Sequence, residues 1–109
     1  MSDLTTQIKE SINNNDVALF IKGTAQMPIC GFSSVVVQIF NKLGVSYKDV
    51  NIYSAEGLPS ALKEISNWPT FPQIFIKGEF IGGCDITREM YETGELQQLL
   101  KEKNIEFAA

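Results

Sequence analysis

The run Val17-Ala18-Leu19-Phe20-Ile21 places five apolar residues in a row, between Asn15-Asp16 and Lys22-Gly23. It is too short for a buried helix and lacks the in-out alternation of a half-wet strand. It therefore reads as a central strand, Val17 to Lys22, covered on both faces. Such a strand obliges the rest of the chain to supply a layer on each side.

The neighbouring segments meet that demand. Leu4, Ile8 and Ile12 recur every four residues, so Thr5 to Asn14 reads as a helix capped by Ser2 or Asp3 and ended by Asn13-Asn14-Asn15. Gly23 to Ile29, with Met27-Pro28, reads as a loop. Phe32 to Leu43 is helical, with Gly44 as its left-handed stop. Val35, Val36 and Val37 are poor helix formers, so burial must overrule propensity there. Val45 to Ile52 reads as a second strand ending near Asn51, and Leu58 to Ile65 as a short helix with Pro59 in its first turn. Gln73 to Ile76 and Glu79 to Gly82, joined by Lys77-Gly78, form a hairpin. Asp85 to Thr93 and Glu95 to Lys103 are helical, broken at Gly94. The early β-α-β unit requires a parallel pair with a right-handed crossover, and the hairpin adds antiparallel strands. The expected class is α/β: one domain over residues 1–109, built on a small four-stranded mixed sheet flanked by helices.

Charge and residue counts narrow the chemistry. The formal charge is −4 and no basic stripe is visible, which argues against a nucleic-acid partner. No apolar run approaches the roughly 20 residues that cross a bilayer. Two cysteines and no histidine cannot close a mononuclear zinc site of about four N or S ligands. The same counts remove the usual partner of a Cys–His hydrolase. Two lone thiols without a secretory signal fit a reducing compartment. A bacterial-type cytoplasm is the simplest expectation, and a trimmed organellar form would look identical.

Cys30 stands just after the central strand, at the mouth of the second helix, in Cys30-Gly31-Phe32-Ser33. Unpaired N–H groups and the positive end of the macrodipole favour thiolate there, although a structural thiol fits the position as well. A dithiol motif would carry its second cysteine where Ser33 stands, so a reactive Cys30 must turn to an outside thiol or to a metal centre with borrowed ligands. Lys22, at the carboxyl edge of the strand, is either a ligand's counter-ion or a solvated strand end. In Trp68-Pro69-Thr70-Phe71-Pro72, a cis Phe71–Pro72 bond would leave the Phe71 backbone free to pair with an extended peptide. Gly82-Gly83-Cys84-Asp85 joins a strand to a helix and offers an anion site, unless Asp85 merely caps that helix. Gathered at one end of the sheet, these groups suit a small peptide with a carboxylate at each end, an amine at one end and a thiol in the middle.

With these residues in hand, the chain resembles the monothiol glutaredoxins of the CGFS type. The blocks that carry the likeness are Lys22-Gly23-Thr24, Pro28-Ile29-Cys30-Gly31-Phe32-Ser33, Trp68-Pro69-Thr70-Phe71-Pro72-Gln73 and Gly78 through Gly82-Gly83-Cys84-Asp85. The likeness runs from about Leu4 to Lys103, nearly the whole chain. The resemblance implies a thioredoxin-like fold and a glutathione site made of Lys22, Cys30, Phe32, Pro59, Thr70, Phe71, Pro72, Gly83, Cys84 and Asp85. By the same resemblance Cys30 is the active thiol and the metal ligand, and Lys22 meets the glycyl carboxylate. The Phe71 backbone pairs with the cysteinyl unit, and Gly83, Cys84 and Asp85 hold the γ-glutamyl end. The resemblance further implies a homodimer that shares a 2Fe–2S cluster through one Cys30 and one glutathione thiolate per copy. Such a dimer acts in iron–sulfur cluster transfer and iron homeostasis, with apo iron–sulfur recipients and a BolA-like protein as partners. Glutathione-dependent thiol–disulfide exchange at Cys30 is the alternative. Two positions depart from the pattern: Pro59 stands where an arginine is common, leaving Lys63 one turn on, and Asn51 stands where an aspartate is common. Cys84 is either a structural thiol or a disulfide partner for Cys30 under oxidation.

Overall fold

The computed structural model describes residues 3–108. Nine elements follow in the order α1 Leu4–Asn13, β1 Val17–Ile21, α2 Gly31–Lys42, β2 Lys48–Asn51, α3 Leu58–Ser66, β3 Gln73–Ile76, β4 Glu79–Gly82, α4 Cys84–Thr93 and α5 Glu95–Glu102. The strands lie in the order β2-β1-β3-β4. β1 runs parallel to β2, while β3 is antiparallel to both β1 and β4. This is the thioredoxin-like arrangement, a four-stranded mixed sheet between helical layers.

β1 is the axis of the molecule, and all five of its residues are fully buried. Its side chains alternate across the sheet. Val17, Leu19 and Ile21 join Val36, Val37, Ile39 and Phe40 of α2 and Leu96 and Leu100 of α5 in one cluster. Ala18 and Phe20 join Ile8 and Ile12 of α1 and Leu58 and Leu62 of α3 in the other. The valine run of α2 is helical because Val36 and Val37 fill the first cluster, which outweighs their modest propensity penalty. Phe20 stacks edge-on with Phe75 of β3 at 5.6 Å. Truncating it to alanine should cost about 3–5 kcal/mol.

Caps set most of the boundaries. The Asp3 side chain accepts the Thr6 N–H at 2.7 Å and caps α1; Ser2, the other candidate, lies outside the described residues. At the end of α2, Gly44 takes φ +66, its N–H donates to Asn41, and the Val45 N–H donates to Phe40 at 3.2 Å. This Schellman closure explains a difference from the sequence reading. β2 begins at Lys48 rather than Val45, because the Val45 N–H is spent on the helix end and its side chain is buried in the α2 cluster. A second difference concerns α4. It starts at Cys84, with Gly83 as its N-cap, so Asp85 lies in the first turn and is not the cap.

Parallel β1 and β2 end at the same edge of the sheet, and antiparallel β3 begins there, with Phe20 opposite Gln73. β4 returns to that edge at Gly82, opposite Ile74. The loop into α2, the Trp68–Pro72 segment and the start of α4 therefore meet at one end of the domain.

Candidate functional site

Cys30 is the N-cap of α2, with extended backbone (φ −139°, ψ 134°), and it is partly exposed. Its thiol titrates below the ordinary value. The backbone N–H of Ser33 contributes most; burial opposes it, and the Phe32 N–H, the Lys22 charge and the Ser33 hydroxyl assist. Ser33 itself is fully buried, and its Oγ accepts the Lys22 N–H at 3.0 Å. One hydroxyl thus ties the end of β1 to the start of α2 and faces the thiol. Sequence reasoning gave Ser33 only a negative role, as a missing cysteine. Its partner lies 11 residues away, and no local pattern reveals such a bond.

Beside Cys30 lies a cleft of about 590 Å³, lined by Lys22, Phe32, Ile52, Tyr53, Pro59, Lys63, Trp68, Pro69, Thr70, Phe71, Gly83, Cys84, Asp85 and Ile86. The volume suits a small ligand. Lys22, Phe32, Pro59, Thr70, Phe71, Gly83, Cys84 and Asp85, all singled out from the sequence, are brought together in its walls. Cys30 and Pro72 are not among the lining residues. Cys30 stands two residues from Phe32, and Pro72, next in sequence to Phe71, is buried.

The Phe71–Pro72 peptide is cis. Among the described residues, neither the N–H nor the C=O of Phe71 is hydrogen-bonded, so an extended strand has two backbone groups to pair with. The preceding segment is shaped by Gln73, whose buried Nε2 donates to the carbonyls of Trp68 and Thr70, each at 3.1 Å. Trp68 packs on Phe80 with ring centroids 5.6 Å apart. A Cβ on Gly83 would lie 3.3 Å from the Pro72 carbonyl oxygen and 3.4 Å from Trp68 Nε1, tight enough to favour glycine there. The supports of this wall, Gln73 and Trp68, are residues the sequence reading did not assign.

Charge is ordered along the cleft. Lys22 and Lys63 supply two cations, and the Lys63 ammonium sits 5.6 Å from the Phe71 ring centroid. Asp85 supplies one anion from the first turn of α4, and Arg88 reaches it at 3.6 Å in an exposed pair. Pro59 brings only an apolar surface. Asn51 is outside the cleft, where its Oδ1 accepts the N–H groups of Gly23 at 3.2 Å and Tyr53 at 3.0 Å. That work needs a carbonyl oxygen, which asparagine has as well as aspartate. Cys84 contrasts with Cys30: it is buried, and burial pushes its thiol above the ordinary value.

The glutaredoxin family model matches residues 17–81. A probable monothiol glutaredoxin of Rickettsia typhi is 52% identical over 96 residues, covering 88% of this chain and 86% of that protein. The chain belongs to the monothiol glutaredoxin family. Solved glutaredoxins share its fold. A truncated monomeric mutant of Trypanosoma brucei 1-C-Grx1 superposes with a TM-score of 0.90 at 36% identity, covering 100% of this chain and 99% of the other. A buckwheat glutaredoxin in complex with glutathione superposes with a TM-score of 0.82 at 27% identity, covering 94% and 92%. Among the described residues, no helix of this glutaredoxin is long and apolar enough to cross a membrane.

Proposed function

We propose that the cleft binds glutathione, and that two copies of the chain with two glutathiones carry a 2Fe–2S cluster to recipient proteins. The observation that carries this reading is the order of groups along one sheet edge, where the end of β1, the start of β3 and the end of β4 lie side by side. Two lysines, an unpaired backbone segment and an aspartate lie beside a thiolate-favouring sulfur. Glutathione has the complementary order, with two carboxylates, one ammonium and a central thiol. Lys22, assisted by Lys63, meets the glycyl carboxylate. The Phe71 backbone pairs with the cysteinyl unit, and the Gly83-Cys84-Asp85 corner takes the γ-glutamyl end, where Asp85 faces the ammonium. That a buckwheat glutaredoxin was solved in complex with glutathione supports glutathione as the ligand.

The cluster reading rests on the donors. Cys30 is partly exposed and favours thiolate, as a soft iron ligand must, whereas Cys84 is buried and resists ionisation. Each chain therefore offers one usable thiolate. A 2Fe–2S cluster takes four, so two chains and two glutathiones complete the set. The cluster is cargo, held by exposed sulfur that exchanges readily.

Anaerobic reconstitution with iron, sulfide and glutathione tests this. A coloured dimer should form, require glutathione, dissociate on cluster loss and be absent in Cys30→Ser. Colour from a single chain, or without glutathione, would overturn the reading. The lowered Cys30 thiol also favours a second activity, attack on protein–glutathione mixed disulfides, which needs only a thiolate and an accessible second thiol. Fast turnover by the colourless monomer would make that the main function.

A further inference from the structure

Residues 24–27 form a small hairpin between β1 and the thiol. Thr24 and Met27 exchange both backbone hydrogen bonds, each at 3.2 Å. The stem continues through the Ile29 N–H to Lys22 C=O bond at 3.0 Å and a Gly23–Pro28 bridge. The stem is tightly closed at Gly23, which has φ +94. A Cβ there would lie 2.6 Å from the Met27 carbonyl oxygen and 2.8 Å from the Ile29 nitrogen. The far side is apolar and wet, with Met27 73% and Ile29 65% exposed. None of residues 23–29 lines the cleft.

Two side chains of β2 tie this hairpin to the sheet. Asn51 holds the stem through the Gly23 N–H. Asp49 reaches the turn, where its Oδ2 accepts the Ala25 N–H at 2.8 Å. Among the described residues, no other hydrogen bond joins residues 24–27 to another element. A carboxylate acceptor makes that bond stronger than a neutral one.

We propose that Asp49 is a positioning residue that governs access to Cys30. By holding the hairpin against the sheet, it narrows the approach to the sulfur from outside the cleft. While the cleft is filled by the glutathione of a Cys30–glutathione disulfide, a second glutathione must come by that approach. Its thiolate, having lost its proton to solvent, attacks the bound glutathione sulfur. The Cys30 S–S bond breaks, Cys30 leaves as thiolate and is thereby reduced, and glutathione disulfide forms. Asp49 slows this second step and leaves the first, attack of Cys30 on a mixed disulfide, nearly untouched. The inference rests on the glutathione reading of the cleft.

Asp49→Ala and Asp49→Ser, whose side chain is too short to span the gap, are compared with Asp49→Asn, which keeps an acceptor oxygen. Amide exchange of Ala25 reports the tether, and thermal melts report folding. The two half-reactions are timed separately with a glutathionylated peptide and then with free glutathione. Alkylation of Cys30 by a small and by a bulky maleimide needs no glutathione. In the alanine and serine variants Ala25 should exchange faster. The second half-reaction and bulky-reagent labelling should each accelerate about tenfold relative to the first half-reaction and small-reagent labelling, a modest share of what small displacements at reacting groups produce. Asp49→Asn should stay near wild type. Faster Ala25 exchange with both ratios unchanged would overturn the inference, as would an Ala25 amide already unprotected in wild type. If labelling responds as expected but no glutathione half-reaction occurs in any form, the glutathione reading fails and the gating role of Asp49 stands.

Discussion

Cys30 and Cys84 stand at the starts of two helices in the same corner of the molecule, yet their thiols are pushed in opposite directions. The macrodipole is common to both and therefore does not distinguish them. Contact with donors and with water does. Cys30 sits outside the first turn as the N-cap, where the Ser33 and Phe32 N–H groups and the Ser33 hydroxyl face its sulfur. Cys84 lies one position further in, after Gly83, and joins the cluster packed around α2. Burial there opposes ionisation and outweighs the favourable charge of Arg88, while the charges of Asp85 and of a Cys30 thiolate add to the opposition. One residue of displacement along a helix start separates a sulfur that favours thiolate from a packing group.

The largest test of this contrast is labelling. Brief alkylation at neutral pH should mark Cys30 alone, and Cys30→Ser should lower the modified fraction by more than about tenfold, since thiolate is the reacting form. Comparable labelling of Cys84 would break the comparison. Next, Lys22→Ala should weaken glutathione binding by about 1.5–3 kcal/mol, the scale of a hydrogen bond to a charged group. Calorimetry with glutathione amidated at its glycyl carboxylate should show that loss disappear. Ser33→Ala should cost about 0.5–1.5 kcal/mol of stability by removing the acceptor of the part-buried Lys22 N–H. It should also raise the pH at which thiolate absorbance appears.

The smallest effect sharpens the contrast most. Cys30 has a lowered folded-state pKa, so its contribution to stability is complete above its unfolded value and is lost as pH falls through the folded one. Cys84 has a raised pKa, so its contribution is complete below its unfolded value and is lost as pH rises through the folded one. In urea unfolding from neutral to alkaline pH, wild type should gain on Cys30→Ser and lose to Cys84→Ser. The same sign for both would show that one environment had been misread.

The order of elements was legible because each rests on a local cause, such as the doubly buried run of β1, the Gly44 stop and the Lys77-Gly78 turn. The start of β2 was not, because the Val45 N–H is claimed by a carbonyl of the preceding helix end. The start of α4 was read one residue late, at Asp85; the helix begins at Cys84 with Gly83 as its cap, so the capping alternative for Asp85 falls away. In the site, residues set in recognisable blocks were found, whereas their supports were not. Ser33, Gln73 and Asp49 act through hydrogen bonds to backbone groups of other segments, and the residue types alone do not declare such bonds. Asn51 looked like a departure at the ligand and proves to be a tether whose carbonyl oxygen suffices.

Trp68 is the only tryptophan in the chain, and it forms part of the cleft wall against Gly83 and Phe80. Its emission therefore comes wholly from the place where a tripeptide would lodge. If glutathione fills the cleft as proposed, its arrival should alter that emission, an optical gauge that needs no dye, tag or label.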